Sequence, residues 1–93
     1  MDVNEALLSL QSVPDVVMIV TDAYTERTEK GRIHHVDDNG VTFISVGDNA
    51  VTTVGRARFE WEVRVVDGMG TIVNARANQP MRKVSFRVSR TLL

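Results

Sequence analysis

The residues best suited to chemistry lie together in residues 31–46, where two adjacent histidines precede two adjacent aspartates and an Asn-Gly pair. Imidazole and carboxylate groups are common metal ligands, and they also act as general acids and bases. On an extended strand, however, His34 and His35 would point to opposite faces and could not bind one metal ion together. We therefore predict no metal site, with one histidine in solvent and the other at the rim of a sheet.

Asp37 and Asp38 have the residue type of a catalytic acid–base pair, but they stand at the start of an Asn-Gly turn. Aspartate at such a position commonly accepts hydrogen bonds from backbone N–H groups of the turn. Ser45, Ser85 and Ser89 have no neighbouring base and no nucleophile-elbow pattern around them. We therefore predict no catalytic residues, no cofactor and no enzymatic activity.

A group of basic residues towards the C-terminus is the strongest sign of a binding surface. Lys83 and Arg87 share one face of a predicted strand, with a serine between them. Such a stripe can follow the phosphates of a nucleic acid, but few aromatic residues lie outside the predicted core to stack on bases. We interpret the group first as a solvated or protein-binding face and second as a nucleic-acid-binding face. Its members are Arg76, Arg82, Lys83, Arg87 and Arg90.

Charge and composition limit the classes of function. The 93-residue chain has a net charge of −1 and no cysteine, which excludes disulfides, zinc–thiolate sites and thiol nucleophiles. Residues 1–55 hold three Lys/Arg and nine Asp/Glu, whereas residues 56–93 hold eight and three. This division could produce two oppositely charged surfaces, or it could disappear if strands from the two halves interleave in one sheet.

Length and hydropathy predict a single domain over residues 1–93. The N-terminal residues lack the basic segment of a signal peptide. The longest apolar run, residues 16–20, is far shorter than the roughly 20 residues that cross a bilayer as a helix. We expect no membrane association and a cytoplasmic protein, with virion association as the alternative.

The elements that would position these residues begin with a short helix. Apolar residues between positions 3 and 13 recur at spacings of three and four and form one stripe. Asp2 can cap the helix and Pro14 ends it. We expect the stripe to pack on the protein's own core. A helix that docks on a partner instead would leave the barrel complete without it.

From residue 15 onward the apolar residues follow the two-residue period of β-strands. Asn39-Gly40 predicts a tight hairpin, either as a two-residue turn at these positions or as a three-residue loop that ends at Gly40. The two alternatives differ by one residue in register, which reverses the side chains that face the core. The sequence leaves both open.

The hairpin that contains residues 68–70 allows a firmer expectation. A three-residue loop at these positions would pair Val65 with Val73 and Glu62 with Arg76, so apolar residues oppose each other and opposite charges meet. A two-residue loop would instead place a polar residue on the apolar face. We expect an odd-length loop whose last glycine is left-handed.

One stretch of the chain resembles a known group of folds. Gly31, Ile33 and Asp37 match the glycine–x–hydrophobic–(x)3–aspartate pattern of Sm-like and other small SH3-like barrels. Residues 56–59 are similar to a strand in the C-terminal barrel of a bacterial small-subunit ribosome maturation factor. The resemblance covers residues 31–61, about a third of the chain, and implies a small β-barrel.

The same resemblance does not extend to an RNA pocket. Sm-like proteins that hold RNA carry an asparagine a few residues after the aspartate, where this chain has Val41. The second motif of that group, a glycine within a short apolar strand, has no counterpart here. The resemblance therefore implies the barrel but not the RNA pocket. Assembly into a ring is suggested by it and not implied.

Together these observations predict a mainly β protein: a small antiparallel SH3-like or Sm-like barrel, or a curled sheet, of about six strands with a short N-terminal helix. We predict a non-enzymatic interaction or assembly module that binds a protein partner or copies of itself through sheet edges or faces. The alternative is a small RNA- or DNA-binding barrel that uses the basic C-terminal strands.

Overall fold

Alternating apolar residues form seven strands rather than six. The structure is a computed structural model, and the residues that it describes are 1–89. One short helix precedes the strands, and every strand is antiparallel to its neighbours, so the prediction of a mainly β protein is confirmed. In chain order the elements are α1 (Val3–Gln11), β1 (Val16–Asp22), β2 (Glu26–Asp37), β3 (Gly40–Ser45), β4 (Val51–Gly55), β5 (Glu60–Val66), β6 (Gly70–Asn78) and β7 (Met81–Val88).

The strand missing from the sequence prediction is β4. It has only five residues and is enclosed by turns on both sides. Its run of Val-Thr-Thr-Val is rich in β-branched residues, which favour strands. The β-branched run that favours a strand was therefore present in the sequence, but it spans only a few residues.

The strand order decides how the two oppositely charged halves are arranged. The sheet runs β4-β3-β2-β1-β7-β6-β5, so the strands that precede residue 56 lie on one side and those that follow it on the other. The halves join at the β1–β7 ladder, which pairs Val16 with Val88 and Asp22 with Arg82. They do not interleave, and the acidic and basic halves remain on separate sides of the sheet. The sheet is open, with β4 and β5 at its edges.

Helix α1 packs against the protein's own sheet, as expected. Ala6, Leu7 and Leu10 are at most 1% exposed, and Asp2 Oδ1 caps the helix by accepting from the Glu5 N–H at 2.8 Å. We call the sheet face beneath α1 the inner face and the opposite one the outer face. The inner-face core residues are Val16, Met18, Val20, Ile33, Val41, Phe43, Val54, Val73, Ala75, Val84 and Phe86.

The β2–β3 hairpin has a register that neither sequence alternative included. Asp37 pairs with Gly40 across a two-residue turn, and a β-bulge interrupts the ladder between Ile33 and His35. A bulge adds one unpaired residue and shifts the alternation of side chains. Ile33 and Val36 therefore both pack on the core although they are three residues apart.

The β5–β6 hairpin confirms the predicted loop length but not the predicted pairing. A three-residue loop closes at Gly70, which has the expected left-handed φ of 81°. The register is displaced by two residues, so Glu62 faces Asn74 instead of Arg76. Gly68 also has a left-handed φ, of 80°, and lies inside the turn instead of opening it. An even displacement preserves the apolar face.

Gly31, which carried the resemblance, has a packing role in this fold. It is buried and pairs with Val16 on one side and Ser45 on the other. A Cβ here would collide with the carbonyl oxygen of Ile44 and would lie 2.8 Å from the ring of Phe43. Glycine thus allows β2 and β3 to approach over the core.

Candidate interaction surfaces

His34 and His35 are both exposed, and the bulge in β2 interrupts the alternation of side chains between Ile33 and His35. His35 pairs with Thr42, which lies between the buried Val41 and Phe43 and so belongs to the outer face. The opposite orientation of the two histidines stays a prediction, because the bulge interrupts the regular alternation on which it depends. Within residues 1–89 there is no group of three or more His, Asp or Glu side chains placed to hold a metal ion.

Asp37 has the turn-stabilising role that the sequence predicted. Its Oδ1 accepts from the backbone N–H groups of Asn39 at 2.8 Å and Gly40 at 3.2 Å. These bonds, chiefly the one from Asn39, hold the pKa of the Asp37 carboxyl below its ordinary value. Its Oδ2 lies 3.1 Å from Nε2 of His35.

Two further contacts fasten this hairpin to α1. Asn4 Nδ2 donates to Asp38 Oδ1 at 3.1 Å, and Gln11 Nε2 donates to the backbone carbonyl of His34 at 2.9 Å. The second contact reaches the residue at the bulge. The stretch most suggestive of chemistry is therefore tied to the helix at both ends of α1.

Two of the three serines considered as nucleophiles lie within the sheet, and Ser89 follows the end of β7. Ser45 and Ser85 are at most 5% exposed, and Ser85 Oγ accepts from Arg87 Nη2 at 3.0 Å. A guanidinium cannot remove a proton from a hydroxyl group, so this contact does not activate Ser85. The absence of enzymatic activity stays a prediction.

The predicted basic residues divide between the two faces of the sheet. Arg76 and Lys83 are cross-strand partners on the outer face, and Arg87 lies on that face further along β7. Arg82 pairs with Asp22 and belongs to the inner face. Arg90 lies outside the described residues.

The sequence reasoning missed two basic residues that share the outer face. Lys30 and Arg87 both pair with Val17, from opposite sides of β1. Arg87 in turn pairs with Ile72, whose other partner is Arg64. Three basic side chains thus alternate with two apolar ones along one row across the sheet, two strands or about 9.6 Å apart at their Cα atoms. A row perpendicular to the strands leaves no local sequence signal.

Acidic residues accompany this row at the β5 edge. Glu60 faces Arg76, and Glu62 Oε1 lies 3.7 Å from Arg64 Nε. Because both members of the Glu62–Arg64 pair are largely exposed, solvent screens the pair and it contributes little to stability. The outer face is therefore basic over β7 and mixed in charge at β5.

The two edge strands differ in how well they are protected against pairing. Strand β5 carries Glu60, Glu62 and Arg64 at alternate positions. Strand β4 contains no charged residue and no proline, and its Val51 is 62% exposed. Charges, prolines and bulges are the usual devices that prevent an edge from adding a strand. Of these three devices, β5 has charges, and β4 has none within its described residues.

The hydrogen-bond pattern shows which groups of β4 are free. Ser45 N donates to Ala50 O, and Arg56 N donates to Asn39 O, at the two ends of the β3–β4 ladder. Antiparallel partners alternate, so the even-numbered residues between these ends bond to β3 and the odd-numbered ones point away. The outward backbone N–H and C=O groups are those of Val51, Thr53 and Gly55.

A cleft of about 630 Å³ borders this free edge. It lies between β4 and the β6–β7 hairpin, with the segment before β5 contributing Phe59. Its volume is typical of ligand-binding clefts, which span roughly 300–1,000 Å³. The lining residues are Thr52, Thr53, Val54, Gly55, Arg58, Phe59, Ala77, Gln79, Pro80, Arg82 and Val84.

Comparison of the chain with family models, with curated proteins and with solved structures found no match. No helix in residues 1–89 has the length and apolar character needed to cross a membrane.

Proposed function

We propose that the protein is a non-enzymatic interaction module that binds by adding an extended strand to the free edge of β4. The strand comes from a protein partner or from another copy of the chain. The observation that supports this most directly is the unprotected edge itself. Backbone N–H and C=O groups point away from the sheet at three alternate positions, Val51, Thr53 and Gly55, on a strand without charge or proline. Backbone hydrogen bonds supply affinity in such strand addition, and neighbouring side-chain pockets supply specificity.

The distribution of charge supports head-to-tail contact between copies as one form of this binding. Strand β4 ends the acidic half of the sheet, and β5 ends the basic half. The opposite net charges belong to the two halves of the chain, residues 1–55 and 56–93, and favour encounter between unlike halves of two copies. Head-to-tail contacts build either closed rings or open filaments.

The kinship with small SH3-like or Sm-like barrels is part of the same proposal. Its support is the close approach of β2 and β3 at Gly31 and the turn role of Asp37. Both residues belong to the pattern that the resemblance rests on. An open sheet with a free edge is the feature that a binding module of this type would use.

The variant Thr53→Pro tests the use of the β4 edge. It removes an outward N–H and no ladder bond, and proline is tolerated at such edge positions. If copies pair through β4, the wild-type solution mass measured by light scattering rises above 10.4 kDa with concentration, and Thr53→Pro stays monomeric. An oligomer that Thr53→Pro leaves intact would contradict the proposal.

Thr52→Pro is the matched control for this experiment. Thr52 pairs with Phe43, and its backbone N–H points toward β3. Proline at this position therefore removes a ladder bond within the sheet. We expect Thr52→Pro to lower the unfolding temperature clearly and Thr53→Pro to change it little. This contrast separates loss of pairing from loss of folding.

Nucleic-acid binding is the second candidate, and the alignment of basic residues on the outer face favours it. Arg76 and Lys83 lie side by side there, near the row formed by Lys30, Arg87 and Arg64. The row has apolar residues between the charges and no aromatic residue. It would therefore contact phosphates and would not stack on bases.

The two faces of the sheet provide the test of this second candidate. The double variant Arg76→Gln/Lys83→Gln should weaken binding to labelled DNA. The fall of log K with log salt should become less steep by about two, because each lost phosphate contact removes ~0.9 from the slope. Arg82→Gln, on the inner face, should leave both unchanged. Equal effects of the two variants, or no binding at low salt, would exclude the outer face as a nucleic-acid surface.

A further inference from the structure

The cleft beside β4 is lined by two arginines that form no salt bridge within residues 1–89. Arg58 and Arg82 are its charged lining residues, both are exposed, and its lining contains no acidic side chain. Neither guanidinium forms a salt bridge with another residue between positions 1 and 89. A segment that enters the cleft therefore meets two free bidentate donors.

The acidic residue closest to Arg82 in register is already engaged. Asp22 pairs with Arg82 across the β1–β7 ladder. Its Oδ1 accepts from the backbone N–H groups of Tyr24 at 2.9 Å and Thr25 at 2.8 Å, and its Oδ2 accepts from Thr25 Oγ1 at 3.0 Å. The carboxylate is therefore held within its own turn. It attracts Arg82 without forming a salt bridge, so the guanidinium can still bind a second carboxylate.

The rest of the lining suits an extended backbone. Val54, Phe59 and Val84 give the cleft an apolar floor, and five residues of β4 extend for about 17 Å. A strand paired with β4 would direct every second side chain over the inner face, beside Thr52 and Val54. Those alternate positions lie on the same side of the sheet as Arg82.

We propose that the segment that pairs with β4 is an acidic stretch of a protein partner, with carboxylates at alternate positions that bind Arg58 and Arg82. This inference rests on the proposed function and names the chemistry of its partner. Bidentate arginine–carboxylate pairs at the cleft wall select the segment, and the β4 backbone holds it in an extended conformation.

The test measures binding of labelled eight-residue peptides by fluorescence anisotropy. One peptide alternates glutamate and threonine, and its control alternates glutamine and threonine. We expect the glutamate peptide to bind at least about tenfold more tightly, as one strong charge-assisted bond provides. Arg58→Gln/Arg82→Gln should remove this difference. Arg32→Gln, an exposed arginine on β2 outside the cleft, should preserve it.

The variant Thr53→Pro distinguishes the failure of this inference from the failure of the proposed function. If both peptides bind equally to the wild type and Thr53→Pro abolishes both, strand addition stands and the acidic partner is wrong. If the glutamate peptide binds equally to wild type and Thr53→Pro, strand addition is wrong. Failure of both peptides to bind, with a solution mass that shows β4-dependent dimers, assigns the edge to a second copy and overturns the inference.

Discussion

At the scale of single residues, aspartates organise the local turns of this protein. Asp2 caps α1, Asp22 closes the turn after β1, and Asp37 closes the turn after β2. Each accepts backbone N–H groups, which favour the charged carboxylate, and each therefore has a pKa below its ordinary value of 3.8. Asp37, which resembled a catalytic acid from its residue type alone, thus contributes to folding.

These carboxylates predict the dependence of stability on acid. A folded-state pKa below the unfolded one gives stability that is present above the ordinary value of 3.8 and is lost as the pH falls through the folded pKa. We expect the free energy of unfolding to decrease below about pH 4. In Asp22→Asn/Asp37→Asn the acceptor oxygens remain but do not titrate, so the decrease should be shallower.

The measurement is urea unfolding followed by circular dichroism between pH 7 and pH 2. Asp15→Asn is the control, because the Asp15 side chain is exposed and receives no hydrogen bond from residues 1–89. A double variant with the full acid sensitivity of the wild type would show that turn carboxylates are not responsible.

At the scale of elements, α1 belongs to the core and is not a docking arm. Its buried side chains enter the same cluster as Met18 and Phe86, from β1 and β7. Polar contacts from Asn4 and Gln11 fix both ends of the helix to the β2–β3 hairpin. The sheet therefore depends on α1 to cover its inner face.

Neighbouring leucines in α1 allow a matched test of this dependence. Leu7 is 0% exposed and Leu8 is 51% exposed. Leu7→Ala should lower the free energy of unfolding by about 2–5 kcal/mol, because it leaves a cavity in the core. Leu8→Ala should change it by less than about 1 kcal/mol. Chemical denaturation measures both, and equal losses would argue against a packed helix.

At the scale of the whole molecule, the β1–β7 ladder unites two consecutive meanders into one sheet. One meander contains the strands from β1 to β4, and the other contains those from β5 to β7. Both contribute to the core under α1. Neither half can bury its inner face without the other.

We therefore predict that residues 1–93 unfold as a single cooperative unit. The chain has one tryptophan, Trp61 on β5, whose fluorescence reports on the second meander. Circular dichroism reports on all strands together. The two thermal transitions should coincide. An earlier fluorescence transition would indicate two separately folding halves.

The strand pattern of β5 and β7 could be read from the sequence, since alternation is a local property. Val84 and Phe86 are buried, and Lys83 lies on the outer face, as the two-residue period indicated. The bulge at His34 could not be read in this way, because it depends on how β2 meets β3. Alternation along β7 predicts that Arg82 and Arg87 lie on opposite faces of the sheet. It does not predict which residues of the neighbouring strands lie beside them.

The amino-acid sequence alone indicates the mainly β class, the helix, the core-facing positions of most strands and the acidic and basic halves of the chain. These features depend on residues a few positions apart, whose spacing expresses the geometry of each element. Four features emerge only in the folded chain: the strand order, the free edge of β4, its cleft with Arg58 and Arg82, and the outer-face row through Lys30, Arg87 and Arg64. Those features arise from pairing between residues distant in the chain, and local spacing carries no record of which strands become neighbours.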